Sequence, residues 1–254
     1  MSVGATPSLS DFRNQRLTAL LDEQAKFQAS DKQGSDFFGR STAISDDGNT
    51  AIVGAHFEDG AGSAYIFTWS GTSWTQQQKI QASDKQVGDF FGISISISEN
   101  GNTAIVGMAN EDSAGAAYIF TRSGTTWTQQ QKIQASDKQV GDFFGISISI
   151  SENGNTAIVG APGEATGGTT NAGTAYIFTW SGTSWTQQQK IQASDKQAGD
   201  FFGISISISE NGNTAIVGTA NEDSAGAAYI FTRSGTTWTQ QQKIQASDKQ
   251  GGDF

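Results

Sequence analysis

Apolar and polar residues alternate strictly from Ile146 to Ser151, as Ile-Ser-Ile-Ser-Ile-Ser. That period of two sends successive side chains to opposite faces of a strand. Asn153-Gly154 follows, a pair suited to the positive φ angles of a two-residue type I′ turn, and Thr156-Ala-Ile-Val159 runs back. The stretch therefore predicts a β-hairpin. Asp47-Gly48, Asn100-Gly101 and Asn211-Gly212 mark the same turn in three further copies. Two more strand patterns follow each hairpin. In the second copy the four predicted strands are Ile93–Ser98, Thr103–Gly107, Ala116–Arg122 and Trp127–Ala135, separated by Gly-, Asn- and Ser-rich turns.

The copies open at Phe37, Phe90, Phe143 and Phe201, and Phe254 opens another, so the spacings are 53, 53, 58 and 53. A fixed period of this size marks a repeat architecture. Four strands per unit suit a propeller blade better than a two-sheet sandwich. The reading is all-β: a β-propeller-type array of four four-stranded antiparallel blades at about 37–89, 90–142, 143–200 and 201–253. In the third strand Tyr118 and Phe120 share one face and Ile119 takes the other, while the fourth carries Trp127 and Ile133. Sheets apolar on both faces need cover on both, so these side chains are expected to pack between blades.

Ahead of the repeats, residues 1–26 form a tail and a short amphipathic helix. Phe12, Leu17, Leu20 and Leu21 fall on one helical face, with Ser8 or Ser10 as N-cap. The apolar face is expected to pack on an exposed end of the β domain or on a partner. Phe27-Gln-Ala-Ser-Asp-Lys-Gln33 matches the tail of every later unit.

A formal charge of −10 argues against nucleic acid or an anionic membrane, because phosphate binding is driven by Lys and Arg. The absence of cysteine removes disulfides, zinc-thiolate sites and thiol nucleophiles together. No apolar run reaches the roughly 18 residues of a membrane span. The amino terminus lacks the basic flank and apolar core of a signal peptide. His56, the sole histidine, reads as a loop residue, and no phosphate loop, serine elbow or metal-ligand spacing occurs. No catalytic residue and no metal ligand is assigned, and the chain is read as a non-enzyme.

Phe-Gly at the head of the first strand, Thr-Ala-Ile-Val-Gly-Ala-Pro162, Ala-Tyr-Ile-Phe178 and the phrase Trp185–Asp195 together resemble FG-GAP repeats. The resemblance spans residues 27–254, and such repeats are similar to the blades of integrin α-chain propellers. It implies a propeller on an extracellular or cell-surface protein that binds other macromolecules. Only the third copy has a full Gly-Ala-Pro, at 160–162. The family's calcium-binding blades carry an Asp-rich loop between the first two strands. Here that loop is Ser-Glu-Asn-Gly-Asn-Thr, or Ser45-Asp-Asp-Gly-Asn-Thr50 in the first copy, too poor in carboxylates for the six to eight oxygens calcium takes. No cofactor is expected.

Alternating strand direction places the second-to-third loops and the blade-to-blade connections at one end. That end collects the candidate ligand-binding residues Glu58, Asp59, Glu111, Asp112, Glu164, Glu222 and Asp223. They would form an acidic face for a protein or glycan ligand, or else a solvated rim. The Pro162–Gly173 loop is five residues longer than its counterparts. Three functions are in view: a binding and adhesion module, a structural spacer in a longer repetitive surface protein, and a lectin-like or polysaccharide-active module. Four blades in an open arc would expose two apolar faces, so a longer propeller, self-association or cover by the helix is expected.

Overall fold

The computed structural model describes residues 26–248; the helix predicted at residues 10–24 lies outside them, as does Phe254. The described residues form four four-stranded antiparallel sheets, each a meander in chain order. Blade 1 comprises Phe38–Ile44, Thr50–Ala55, Ser63–Trp69 and Trp74–Ile80. Blade 2 comprises Phe91–Ile97, Thr103–Met108, Ala116–Ser123 and Thr126–Ile133. Blade 3 comprises Ser147–Ile150, Thr156–Ala161, Thr174–Trp180 and Trp185–Ile191, and blade 4 Ser205–Ile208, Thr214–Thr219, Ala227–Ser234 and Thr237–Ile244. The predicted strands are present, shifted by at most two residues at their ends.

The first hairpin turn is longer than the expected two-residue type I′. Ser151 N–H donates to the Thr156 carbonyl and Gly154 N–H to that of Ser151. Gly154 has φ +69°, whereas Asn153 is not in the left-handed region. The side chains explain the difference. Asn153 Oδ1 accepts from Ser151 Oγ and from Asn155 N, at 2.8 and 2.9 Å, and Ser151 Oγ accepts from Thr156 N at 3.1 Å. Ser and Asn thus cap a wider turn from within, the usual role of short polar side chains there.

The third and fourth strands carry a bulge. Ile119 pairs with Gln131 but Phe120 pairs with Gln129, leaving Gln130 unopposed. Trp127 and Ile133 lie six residues apart and would share a face of a regular strand. The extra residue reverses the parity. Trp127 joins Tyr118 and Phe120 on one face, and Ile133 joins Ile119 on the other.

Every blade therefore has an aromatic face and an isoleucine face, and the core is the set of junctions between them. Ile52, Ile66 and Ile80 of blade 1 pack on Phe91, Val106, Tyr118, Phe120 and Trp127 of blade 2. The same arrangement joins blades 2 and 3, and blades 3 and 4. Glycine sets the spacing: a Cβ on Gly107 would stand 2.0 Å from the Gly145 carbonyl oxygen of the next blade. Ser94 Oγ donates to that same oxygen at 2.6 Å.

Candidate functional site at the loop end

The loop between second and third strands and the connection to the next blade meet at one end, as the strand directions require. Gly88 N–H donates to the Gly60 carbonyl, and Phe91 N–H to that of Ala61. Four networks of identical composition line this end. In blade 1, Lys79 Nζ holds Asp31 Oδ2 at 2.7 Å and also Glu58 Oε1. Tyr65 Oη donates to Asp31 Oδ1 at 2.8 Å. Lys132, Asp84, Glu111 and Tyr118 repeat it in blade 2, and Lys243, Asp195, Glu222 and Tyr229 in blade 4. In blade 3 Lys190 holds Asp137 and Glu164, and the Tyr176 hydroxyl lies within hydrogen-bonding distance of both carboxylates, with one proton to share between them.

The seven acidic candidates thus divide. Glu58, Glu111, Glu164 and Glu222 are buried and tied to lysines, so they do not form an exposed acidic face. Their role is to anchor the loop onto the fourth strand of the same blade. Asp59, Asp112 and Asp223 are exposed, each with φ near +50° in a one-turn 3-10 segment. Asp112 faces Lys138 at 3.3 Å and Asp223 faces Lys243 at 3.7 Å. The sequence reading missed the Tyr–Asp–Lys–Glu network. Its signal was there: Lys follows Glu by 21 residues in three blades and by 26 in the third, where five extra loop residues intervene.

The glutamates differ in one contact. In blade 1 burial works to raise the Glu58 pKa, but hydrogen bonds from Lys79 and Ser63 outweigh it and hold the carboxyl below its ordinary value. The residue at Ser63's position is Ala116 in blade 2 and Ala227 in blade 4. There Glu111 Oε2 and Glu222 Oε2 are buried without a hydrogen-bond partner, and burial pushes both carboxyls up. Asp84, Asp137 and Asp195 are held low: burial is outweighed by the bonds from lysine and tyrosine.

The same end also exposes apolar groups the sequence reading did not single out. Phe37, Phe90, Phe143 and Phe201 all have φ between +53° and +64°. A bulky residue in that region is strained and clusters at functional sites. The kink buries Phe91, Phe144 and Phe202 completely and Phe38 by half, and of the first residues it leaves Phe37 and Phe143 exposed and Phe90 and Phe201 half-exposed. Phe37 is 58% exposed, and Val87 and Val140 on the blade connections are 84% and 81% exposed. His56 lies in the loop after the second strand, as read, but is buried in an aromatic cluster with Phe37, Phe57 and Phe90, and burial lowers its pKa. The long third loop folds back on itself through paired bonds between Thr166 and Thr169, and Gly199 N–H donates to Thr170.

At the opposite, turn end, a cleft of about 250 Å³ lies between blades 2 and 3. Thr103, Thr121, Gln130, Asn153, Asn155, Trp180 and Trp185 line it. Trp180 is exposed. Blade 2 has Arg122 at this position, and its guanidinium reaches back to Thr50 Oγ1 of blade 1 at 3.1 Å, bridging the corresponding gap. Among the described residues no group of three or more His, Asp or Glu could hold a metal ion, and no helix is long and apolar enough to cross a membrane.

The FG-GAP repeat family matches four consecutive segments, residues 21–67, 74–120, 127–178 and 185–231. No curated protein sequence matches the chain. Among solved structures, a putative 6-phosphogluconolactonase from Bacteroides uniformis is 14% identical with a TM-score of 0.57, covering 88% of this chain and 61% of that one. TolB from Acinetobacter baumannii is 12% identical with a TM-score of 0.47, covering 79% of this chain and 42% of that one. The chain thus spans less than two thirds of either protein, and at such identity the first likeness concerns the fold alone.

Proposed function

Because the chain belongs to the FG-GAP repeat family, we propose that it is a non-catalytic binding and adhesion module that recognises a macromolecular partner through its loop end. Its place of action is the cell surface or the extracellular space. One observation carries this reading: phenylalanines with positive φ, Phe37 and Phe143 of them exposed, and exposed valines stand beside exposed aspartates at one end of the blade array. Exposed apolar groups rimmed by polar ones are typical of protein interaction sites. Apolar side chains supply the anchors, and the rim of Asp59, Asp112 and Asp223 favours a basic partner. The four Tyr–Asp–Lys–Glu networks support binding over catalysis, since each carboxylate is committed to a lysine or tyrosine within the scaffold. The test is an array of basic, aromatic-rich peptides probed with wild type and with Phe37→Ala/Phe143→Ala. Binding that the double variant loses by tenfold or more supports the reading. Binding that ignores these residues overturns it.

The cleft at Trp180 supports a second reading, a lectin-like site for a neutral sugar. An exposed aromatic ring beside convergent amide and hydroxyl groups, with no charged side chain lining the cleft, suits a sugar's apolar face and its hydroxyls. Trp180→Arg imitates blades 2 and 4 and would close the gap. A glycan array signal that this substitution removes supports the reading; a signal that survives it rejects this site.

A further inference from the structure

The two terminal blade faces are the two halves of one junction. Ile52, Ile105 and Ile158 are each 0% exposed beneath the next blade, whereas the equivalent Ile216 of blade 4 is 38% exposed. Ile80, Ile133 and Ile191 are buried; the equivalent Ile244 is exposed. At the other terminus Phe38 and Trp74 are half-buried where Phe91 and Trp127 are buried. Ile44 is 58% exposed, while its equivalents are half-buried (Ile97) or buried (Ile150 and Ile208).

The polar groups are complementary as well. In each internal junction a serine donates to the next blade's glycine carbonyl: Ser41 to Gly92, Ser94 to Gly145 and Ser147 to Gly203, at 2.6–2.7 Å. A glutamine exchanges two bonds with the next blade's tryptophan backbone: Gln78 with Trp127, Gln131 with Trp185 and Gln189 with Trp238. A second serine caps an isoleucine N–H, Ser96 to Ile150 and Ser149 to Ile208. Blade 4 presents one half of this set as Ser205, Gln242 and Ser207, and blade 1 presents the other as the Gly39 carbonyl, the Trp74 backbone and the Ile44 N–H. Gly218 stands where Gly54, Gly107 and Gly160 admit a neighbouring backbone, and the atoms nearest its Cβ position belong to Ser205 rather than to another blade.

We propose that the blade 4 face docks on the blade 1 face of a second copy of this chain, in the geometry of the three internal junctions. A head-to-tail contact of this kind either closes a ring or grows a filament. Propellers close with about 4 to 8 blades, so two copies, supplying eight blades through two such junctions, make the expected ring. Residues 27–30 of the receiving copy already occupy the place of a fourth-strand exit. Phe27 stacks on Phe67 at 4.7 Å, and Ser30 N–H donates to Gln76 Oε1 as Ser83 does to Gln129. The docking copy's own exit beyond Ile244 is therefore redundant and competes for that place. This interface lies on the blade faces and is separate from the loop-end binding surface.

The test is sedimentation velocity of the full chain from about 1 to 200 µM with two variants. Gly218→Ala blocks the blade 4 face, because a methyl there would meet a docked carbonyl; within the chain its nearest neighbour is the Ser205 hydroxyl, which must rotate away. Ile44→Glu blocks the blade 1 face at an exposed position. Circular dichroism establishes that both fold, and Ile216→Glu replaces Gly218→Ala if the latter does not. Wild type is expected to reach twice the chain mass, each variant to stay monomeric, and their equimolar mixture to form a one-to-one pair through the single intact junction. Truncation after Gln245 should tighten association several-fold. A wild type that is monomeric throughout, variants that associate like wild type, or a mixture that fails to pair would overturn the proposal.

Discussion

At the scale of single residues, the four blades are an internal mutational series. Glu58 and Glu111 occupy the same site, yet Glu58 receives the Ser63 hydroxyl while Glu111 Oε2 is buried without a partner. Leaving a buried acceptor unmet costs about 1–3 kcal/mol. Ala116→Ser should therefore stabilise the protein by about 1 kcal/mol in chemical denaturation at pH 7. The serine should also engage Gln134, as Ser63 engages Gln81 at 2.7 Å. The pH dependence has a definite sign. Burial raises the folded pKa of Glu111 above its ordinary 4.5, so what this group contributes is present below 4.5 and lost as pH rises through the folded value. A serine that lowers that pKa should give a gain that is small at pH 3 and grows above pH 4.5. A gain that shrinks with rising pH would show that the hydroxyl is not reaching the carboxylate.

At the scale of elements, burial separates the tryptophans. Trp127 is buried against the preceding blade, whereas Trp69 is exposed at the end of its strand. Trp127→Ala should cost roughly 3–5 kcal/mol by denaturant titration. Trp69→Arg should cost under about 0.5 kcal/mol, the ordinary range for surface substitutions, since blades 2 and 4 already carry Arg122 and Arg233 there. Equal losses would mean the blade faces are misassigned. The hairpin turns give a second expectation. Asp47 Oδ1 is occupied by Ser45 Oγ and Asn49 N, as Asn153 Oδ1 is by its own neighbours. The melting temperature should differ by less than about 1 °C between millimolar calcium and excess chelator. A native-state site held at a hundredfold excess over its Kd would add about 2.7 kcal/mol, a shift of several degrees. The strands and their order were legible because alternation and Gly-containing turns recur in register in every copy. The bulge at Gln130 was not, since a Gln-Gln-Gln run has no apolar pattern to reveal a change of face. Nor was the burial of the glutamates: an acid in a polar loop reads as exposed until the lysine 21 residues later is placed beside it.

At the scale of the whole molecule, closely similar junctions build an array whose variable surfaces are its two ends and its two terminal faces. The acidic candidates were read as one surface. The fold divides them, drawing the glutamates into the scaffold and leaving the aspartates outside with the exposed Phe37 and Phe143. The proposed partner docks at this loop end. Hydrogen exchange by mass spectrometry, on the chain with and without the peptide that binds it most strongly on the array, tests this docking. Protection should appear in residues 56–62, 86–91, 109–115 and 139–144, with the hairpin turns at 45–50 and 98–103 unchanged. Protection confined to those turns, with the loop end exchanging as in the free chain, would contradict it.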